Sequence, residues 1–383
     1  MVLEANTFPE PIEFIRMTFQ TITREQVLAA LSTVQEPDLK KDLVSLNMIE
    51  DIKIEGNAIS FTVILTTPAC PLKALIEKSC IDSIHTHIQK DIEVRVDMIS
   101  RVTQTHKNSL FPDIKNIILV SSGKGGVGKS TIATNLAMAL QQQGARVGLI
   151  DADIYGPSIP ILFDVEGAKP MGRPGPDGKN KILPIEKYGI KLLSIGFFTH
   201  PGQAIPWRGP MVSTAVKQLF SDADWGELDY LLVDLPPGTG DIHISIAQTF
   251  PITGAVVVTT PQRLSVADAA KGLAMFLMDS IKVPILGVIE NMSYFTPAEL
   301  PNHQYPIFGK NGGKLLAQQF DVPFLGEIPF VMGMSESGDK GQPIMLTENH
   351  PSKNLFLEIS EKLAQQVAIR NASPQEPRTL KTL

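Results

Sequence analysis

The residues best suited to do chemistry in this chain are Gly123-Lys124-Gly125-Gly126-Val127-Gly128-Lys129-Ser130. They follow an apolar run, Ile117–Val120, and precede a helix-forming stretch, TIATNLAMALQQQG. Glycines at this spacing let the backbone turn tightly and aim its N–H groups at phosphate oxygens. A helix that starts just after them adds partial positive charge at the same point. Strand, G-x-x-x-x-G-K-[ST] and helix in that order predict a P-loop. Lys129 is expected to reach the β- and γ-phosphates of ATP, and Ser130 to ligate Mg²⁺. The nucleotide-binding set is then Gly123, Lys124, Gly125, Gly126, Val127, Gly128, Lys129, Ser130 and Thr131.

Two acidic clusters follow. Asp151-Ala152-Asp153 closes a second apolar run, where a parallel sheet presents its carboxyl edge to a ligand. Asp153 is expected to orient the attacking water, and Asp151 to support the site or a Mg²⁺-bound water. Asp234 closes the run YLLVD and is expected to hold Mg²⁺ through water. In LPPGTGD after it, Gly238 and Gly240 let the loop respond to the γ-phosphate. A lone aspartate at a strand end is as often a turn former or helix cap. Two of them behind a P-loop favour the functional reading.

These residues need a scaffold. Strand-like runs at Ile117–Val120, Val147–Ile150, Tyr230–Val233, Ala255–Thr259 and Ile285–Ile289 alternate with helical stretches. Continuous apolar strands with helices between them indicate a mostly parallel sheet covered by helices on both faces. The expected fold class is therefore α/β, a P-loop NTPase over residues 114–369, preceded by a small α+β domain over 1–100. In the small domain, Thr23 and Gln26 form a capping-box pattern for a helix reaching Leu31. Residues 58–65 alternate as a strand. After the turn Thr66–Pro71 a helix is expected from Leu72 to about Gln89, then a strand at Ile92–Val96. Residues 101–113 read as a linker, 167–181 as an exposed hairpin or mobile loop, and 370–383 as a flexible tail.

Composition excludes several classes. The chain has 383 residues, enough for two domains, with 43% hydrophobic and 19% charged residues, as in an ordinary globular protein. A formal charge of −6 argues against binding nucleic acid through net electrostatics. No apolar run approaches the roughly 20 residues needed to span a bilayer, and the N-terminus does not read as a signal peptide. Two cysteines, Cys70 and Cys80, are too few for a disulfide scaffold. The expected compartment is the cytoplasm, with neither membrane nor nucleic acid as partner. Leu355, Ile359, Leu363 and Val367 form an apolar stripe suited to docking on the protein's own core.

Lys124, straight after the first glycine, is not required by an ordinary P-loop. The segment resembles the deviant Walker A ATPases, which include nitrogenase iron protein and the septum-site and plasmid-partition ATPases. That resemblance implies a homodimer in which Lys124 crosses to the partner's nucleotide and acts like an arginine finger. Lys124, Lys129 and Asp153 then form the catalytic set. With DADIYGPSIP (151–160), PWRGPM (206–211), DLPPGTGD (234–241) and ENMSYF (290–295), residues 105–365 resemble the Mrp/NBP35 subfamily of ATP-dependent iron–sulfur cluster carriers. EPDL (36–39) and TTPACPL (66–72) resemble the MIP18-type domain linked to iron–sulfur assembly. The resemblance implies slow, partner-coupled ATP hydrolysis, Asn291 pairing with an adenine edge, apo-protein clients and assembly factors as partners, and a [4Fe–4S] cluster held between two copies.

One departure stands out. Such carriers usually have C-x-x-C soon after ENMSYF, but this chain reads TPAELPNHQYPIFG, without cysteine. Cys70 is the candidate cluster ligand or transfer thiol, against the alternative of a small buried residue. Cys80 reads as a mid-helix core residue. His303 is either a substitute ligand or a solvated loop residue. Trp207-Arg208 is either a nucleotide-sensing or partner surface or a structural corner. Two functions stay in view: a cluster carrier, and an ATP-dependent adaptor or positioning ATPase that binds no cluster itself.

Overall fold

The computed structural model describes residues 22–104, 111–175, 178, 180–199, 209–297, 299–300 and 302–373. Backbone packing divides the chain into two compact units. One holds residues up to 36 with 41–63 and 75–97; the other holds 37–40, 64–74 and everything from residue 98 onward.

The first unit opens with helix α1 (Arg24–Leu31). Gln26 N–H donates to Thr23 Oγ1 at 3.3 Å, and Thr23 N–H donates to Gln26 Oε1 at 2.9 Å, which is the expected capping box. Short strands β1 (Gln35–Glu36) and β2 (Lys41–Asp42) pair antiparallel. Strands β3 (Ile49–Glu55), β4 (Ala58–Leu65) and β5 (Glu93–Ser100) form a sheet in the order β3-β4-β5. Helix α2 (Lys73–His87) joins β4 to β5. Val27, Leu31, Phe61, Val63, Ile76 and Ile84 are buried here. The sequence reading has no strand at 49–55, and it starts the last strand at Ile92, which lies buried just before β5.

The second unit runs through β6 (Ile114–Ser121), α3 (Lys129–Gln142), β7 (Val147–Asp151) and α4 (Ile159–Leu162). A hairpin of β8 (Gly172–Pro174) and β9 (Asn180–Ile182) comes next, inside the stretch read as an exposed hairpin or loop. Then follow β10 (Ile185–Lys187), β11 (Ile190–Ser194), a 3₁₀ turn at Ile195–Phe198, α5 (Gly209–Ser221), β12 (Leu228–Asp234) and α6 (Asp241–Thr249). The unit ends with β13 (Gly254–Thr259), α7 (Arg263–Leu277), β14 (Ile285–Phe295), α8 (Gly312–Gln319), β15 (Phe324–Phe330), α9 (Met332–Asp339) and α10 (Pro351–Ala372).

Its sheet has eight strands in the order β10-β11-β7-β12-β6-β13-β14-β15. Every adjacent pair is parallel except β10–β11 at one edge. Side chains alternate across the sheet. In β6, Ile118 and Val120 enter the core under α3 and α10, while Ile117 and Leu119 enter the core under α5 and α6. In β12, Tyr230 and Leu232 divide from Leu231 and Val233 in the same way. Helices thus cover both faces, as the continuous apolar runs require. The five expected strands are present and extended by one to several residues; β10, β11 and β15 are additional. β15 escapes recognition because Gly326 and Pro329 interrupt its apolar pattern. The stripe on α10 docks inward, with Ile359, Leu363 and Val367 buried beside Phe356.

Candidate functional site

The site lies at the carboxyl edge of the central strands. β6 sits between β12 and β13 and delivers Ser122 to Gly128 onto the N-terminus of α3. Gly126 and Gly128 both adopt φ of 81°, a conformation that side chains rarely accept. A Cβ on Gly128 would come within 2.4 Å of the Asn291 amide nitrogen, and one on Gly123 within 2.1 Å of the Asp268 backbone. The loop is therefore wedged between α7 and the end of β14. Gly128, the N-cap of α3, has no side chain to bond the helix's first N–H groups, so those donors face outward as an anion cradle.

Register brings the acids together. Asp234 ends β12 directly opposite Asp151 at the end of β7 and opposite Val120 in β6. Lys129 Nζ donates to Asp234 Oδ1 at 2.5 Å and to Ser130 Oγ at 3.3 Å. Lys129 and Asp234 are both buried, and Asp234 Oδ2 has no hydrogen-bond partner. An ammonium has three donors; two are engaged, and the third is left for a phosphate oxygen. A buried carboxylate with one unsatisfied oxygen and a serine hydroxyl, which share the Lys129 ammonium, are hard oxygen donors of the kind Mg²⁺ takes.

Asp151 is fully buried and holds its surroundings in place. Its carboxylate accepts from Ile159 N at 3.1 Å, Ser194 Oγ at 3.0 Å and Asp153 N at 3.2 Å. Burial first, and then the neighbouring Asp234, push its pKa up to about 7. Asp153 is half-buried and accepts from Gly156 N at 3.3 Å; burial raises its pKa, and Lys129 opposes the rise. A cleft of about 280 Å³ runs between the P-loop and Asp153, Ser158 and Leu162, with Pro237 at its end. Lys124 lines this cleft and also a hollow of about 120 Å³ on the loop's other flank, beside Gln262, Met292 and Phe308. The loop after β12 is tied to the P-loop strand: Leu235 N donates to Val120 O, and Gly238 N to Ser122 O at 2.8 Å.

Asn291 is buried beneath the P-loop and donates its Nδ2 to Val127 O at 2.8 Å. Sequence reading points it at adenine; the structure shows it bracing the loop, with only Oδ1 left over. Sequence reading also overlooks Ser194 and His243. Ser194 is a serine in an apolar strand, which carries no motif. His243 is fully buried at the start of α6, and neither of its ring nitrogens is hydrogen-bonded.

The thiols lie elsewhere. Cys70 is half-buried in the turn before α2, where Ala69 N donates to Thr67 Oγ1 and that hydroxyl meets Tyr230 Oη at 3.2 Å. Cys80 is buried, and burial followed by Glu77 pushes its thiol up to about 12, far from thiolate character. His303 is exposed. Among the described residues no group of three or more His, Cys, Asp or Glu side chains is arranged to hold a metal ion. Trp207 and Arg208 lie outside the described residues.

Comparison with known proteins decides the family. The model of the NUBPL iron-transfer P-loop NTPases matches residues 113–364. The chain belongs to this family. A second model, for an iron–sulfur cluster assembly protein domain, matches residues 24–96. A Synechocystis protein named iron-sulfur cluster carrier protein is 44% identical to this NUBPL-family chain over 357 residues, covering 91% of the chain and 99% of that protein. The Escherichia coli K12 protein of the same name is 38% identical, covering 90% and 91%. The rice chloroplastic Fe-S cluster assembly factor HCF101 is 42% identical over 331 residues, which span 60% of its own length. Among solved structures, a nucleotide-binding protein from Archaeoglobus fulgidus in complex with ADP is 35% identical, with a TM-score of 0.54 over 64% of this chain and 93% of that one. The P-loop fold of the family and a small N-terminal domain matched by the second model are thus both present.

Proposed function

We propose that this chain is a Mg-ATP-hydrolysing switch that carries, or helps to insert, iron–sulfur clusters. The observation that carries the ATPase half is the Lys129–Ser130–Asp234 cluster at the mouth of a glycine cradle. In this reading, the N–H groups of Gly123 to Thr131 and the third donor of Lys129 hold the β- and γ-phosphates. Ser130, and Asp234 through water, would hold Mg²⁺, which would supply charge neutralisation to the phosphates. Asp153 faces the cleft and orients a water that attacks the γ-phosphorus, yielding ADP and phosphate. Asp151 anchors the strand end that presents Asp153. Lys124 supports the transferring phosphoryl group of a second copy, which makes the working form a homodimer.

The cargo half rests on the relatives named iron–sulfur cluster carriers and on the matched N-terminal domain. We assign the N-terminal domain to residues 1–100, the linker to 101–113, the ATPase to 114–369 and a tail to 370–383, of which Arg370 to Ala372 continue α10 rather than forming a flexible tail, with apo-protein clients and assembly factors as cytoplasmic partners. Cluster irons take thiolate ligands, and Cys70 is the candidate thiol for that role. Two observations favour the second reading, an ATP-dependent adaptor: the segment after Phe295 has no cysteine, and Cys80 is sealed and protonated.

Two experiments test the halves separately. Lys129→Ala is expected to lower kcat/KM for MgATP by at least about a hundredfold, the usual size of one lost phosphate-stabilising donor; unchanged hydrolysis would sink the P-loop assignment. Anaerobic reconstitution with iron and sulfide is expected to give a charge-transfer band and about four irons per dimer, lost in Cys70→Ala. ATP binding without any band would leave the adaptor reading.

A further inference from the structure

His243 lies at the start of α6, directly after the loop that carries Gly238 and Gly240, and is 1% exposed. Its two ring nitrogens have no hydrogen-bond partner. The carbonyls of Pro236 and Gly240 lie close enough to pull on the ring, Gly240 O also accepting from His243 N at 3.1 Å, and the Lys129 ammonium is near enough to act on it. A buried polar group left unbonded carries its full desolvation penalty, and such groups are rare in proteins. Something nearby should therefore be able to satisfy it, and both reachable acceptors belong to one short loop.

That loop has room to move. It is tied down by Leu235 N to Val120 O and by Gly238 N to Ser122 O. Between and beyond these ties, Gly238 adopts φ of 99°, and neither Gly238 nor Gly240 has a neighbour within 4 Å of its Cβ position. The outer side of the loop is open, and its inner side meets an imidazole. Burial, with Lys129 adding to it, outweighs the pull of the two carbonyls and brings the imidazole pKa down to about 4, so the ring is neutral in ordinary buffers. A neutral imidazole has one N–H donor. One donor facing two carbonyls can satisfy only one at a time.

We propose that His243 is a positioning residue that latches loop 235–240, its single ring N–H closing on the carbonyl of either Pro236 or Gly240 according to the nucleotide bound. It touches neither nucleotide nor metal; it acts through the loop that begins at Asp234. Exchange of the γ-phosphate at Lys129 shifts the loop, and the latch makes two discrete positions of what would otherwise be a continuous drift. This inference rests on the ATPase reading above and deepens it.

The test compares His243→Phe, which keeps the volume and removes the donor, with His243→Gln, which restores an N–H. His243→Phe is expected to lower kcat for MgATP about tenfold while KM changes less than about twofold, and His243→Gln to recover to within about threefold of wild type. A lost packing role would not be rescued by glutamine. Wild-type kcat in His243→Phe, or equal loss in both variants, would overturn the latch. Should His243→Phe fail to fold, the ring nitrogens of wild-type protein labelled with ¹⁵N-histidine report directly, with His243→Gln assigning the signal. The hydrogen-bonded shift is expected to differ between Mg-ADP and a Mg-bound non-hydrolysable ATP analogue; identical spectra in both would overturn the proposal. A wild type that binds but does not hydrolyse ATP would sink the ATPase reading instead, and the ¹⁵N comparison would still decide the latch.

Discussion

At the scale of single residues, the P-loop is legible because its chemistry is local. Gly128 shows why: its φ of 81° and the Asn291 amide at 2.4 Å from a built Cβ leave room for glycine alone. Gly128→Ala is expected to destabilise the fold by about 1–3 kcal/mol, the usual cost of a strained backbone position. It should also weaken MgADP binding, as read by calorimetry, because the displaced loop no longer aims its N–H groups together. Residues whose roles depend on distant partners are not legible in this way. Asn291 reads in sequence as a nucleotide contact, yet its partner at 2.8 Å is the Val127 carbonyl, 164 positions away in the chain. His243 and Ser194 belong to no motif; only strand register and helix packing bring them to Asp151 and to the loop after Asp234.

At the scale of elements, two features hold the scaffold under the site. The first is an ion network at the opposite edge of the sheet. Asp229 in β12 accepts from Lys115 in β6 at 2.8 Å and from Arg146, just before β7, at 3.1 Å. Burial opposes ionisation of Asp229, but the Arg146 and Lys115 bonds outweigh it and hold the carboxyl at about 2. Its folded pKa lies below the usual unfolded value near 3.9, so its contribution is fully present above about pH 4 and is lost as pH falls through 2. Asp229→Asn should therefore be less stable than wild type at pH 7, and the gap should narrow as urea midpoints are followed from pH 4 downward. The second feature is α10, whose buried face lies on the core beside α3. Leu363→Ala is expected to cost about 2–5 kcal/mol in chemical unfolding, as for a buried leucine whose site cannot collapse. The five strands recognised from sequence are the long apolar runs. β3, β10, β11 and β15 escape because charge, brevity or Gly and Pro within the strand mask their period.

At the scale of the whole molecule, sequence motifs gave the parallel sheet with helices on both faces and the small domain before it. The motif around Lys124 resembles one that implies a homodimer. Lys124 is the place to ask. It lines the cleft beside its own P-loop, so a role in its own site predicts that ATP turnover per chain is independent of concentration. The proposed role across a dimer predicts turnover that rises with concentration, together with Lys124→Ala lowering kcat by at least about tenfold while ADP binding is unchanged. Mixing Lys124→Ala with Lys129→Ala chains should restore partial activity, since each mixed dimer retains one intact pair. No helix among the described residues is long and apolar enough to cross a membrane.

The sheet order also sets a timetable. β6 is the central strand and its core-facing residues are all buried, yet its two neighbours are β12 and β13. Those strands lie roughly a hundred residues further along the chain. At a synthesis rate of about 5–20 residues per second, the run NIILV waits on the order of 5–20 seconds on the ribosome before either flank can be covered. For that interval this apolar strand of the nucleotide site is an unpaired edge on both sides, so a newborn chain depends on whatever shields this segment until Asp234 has emerged.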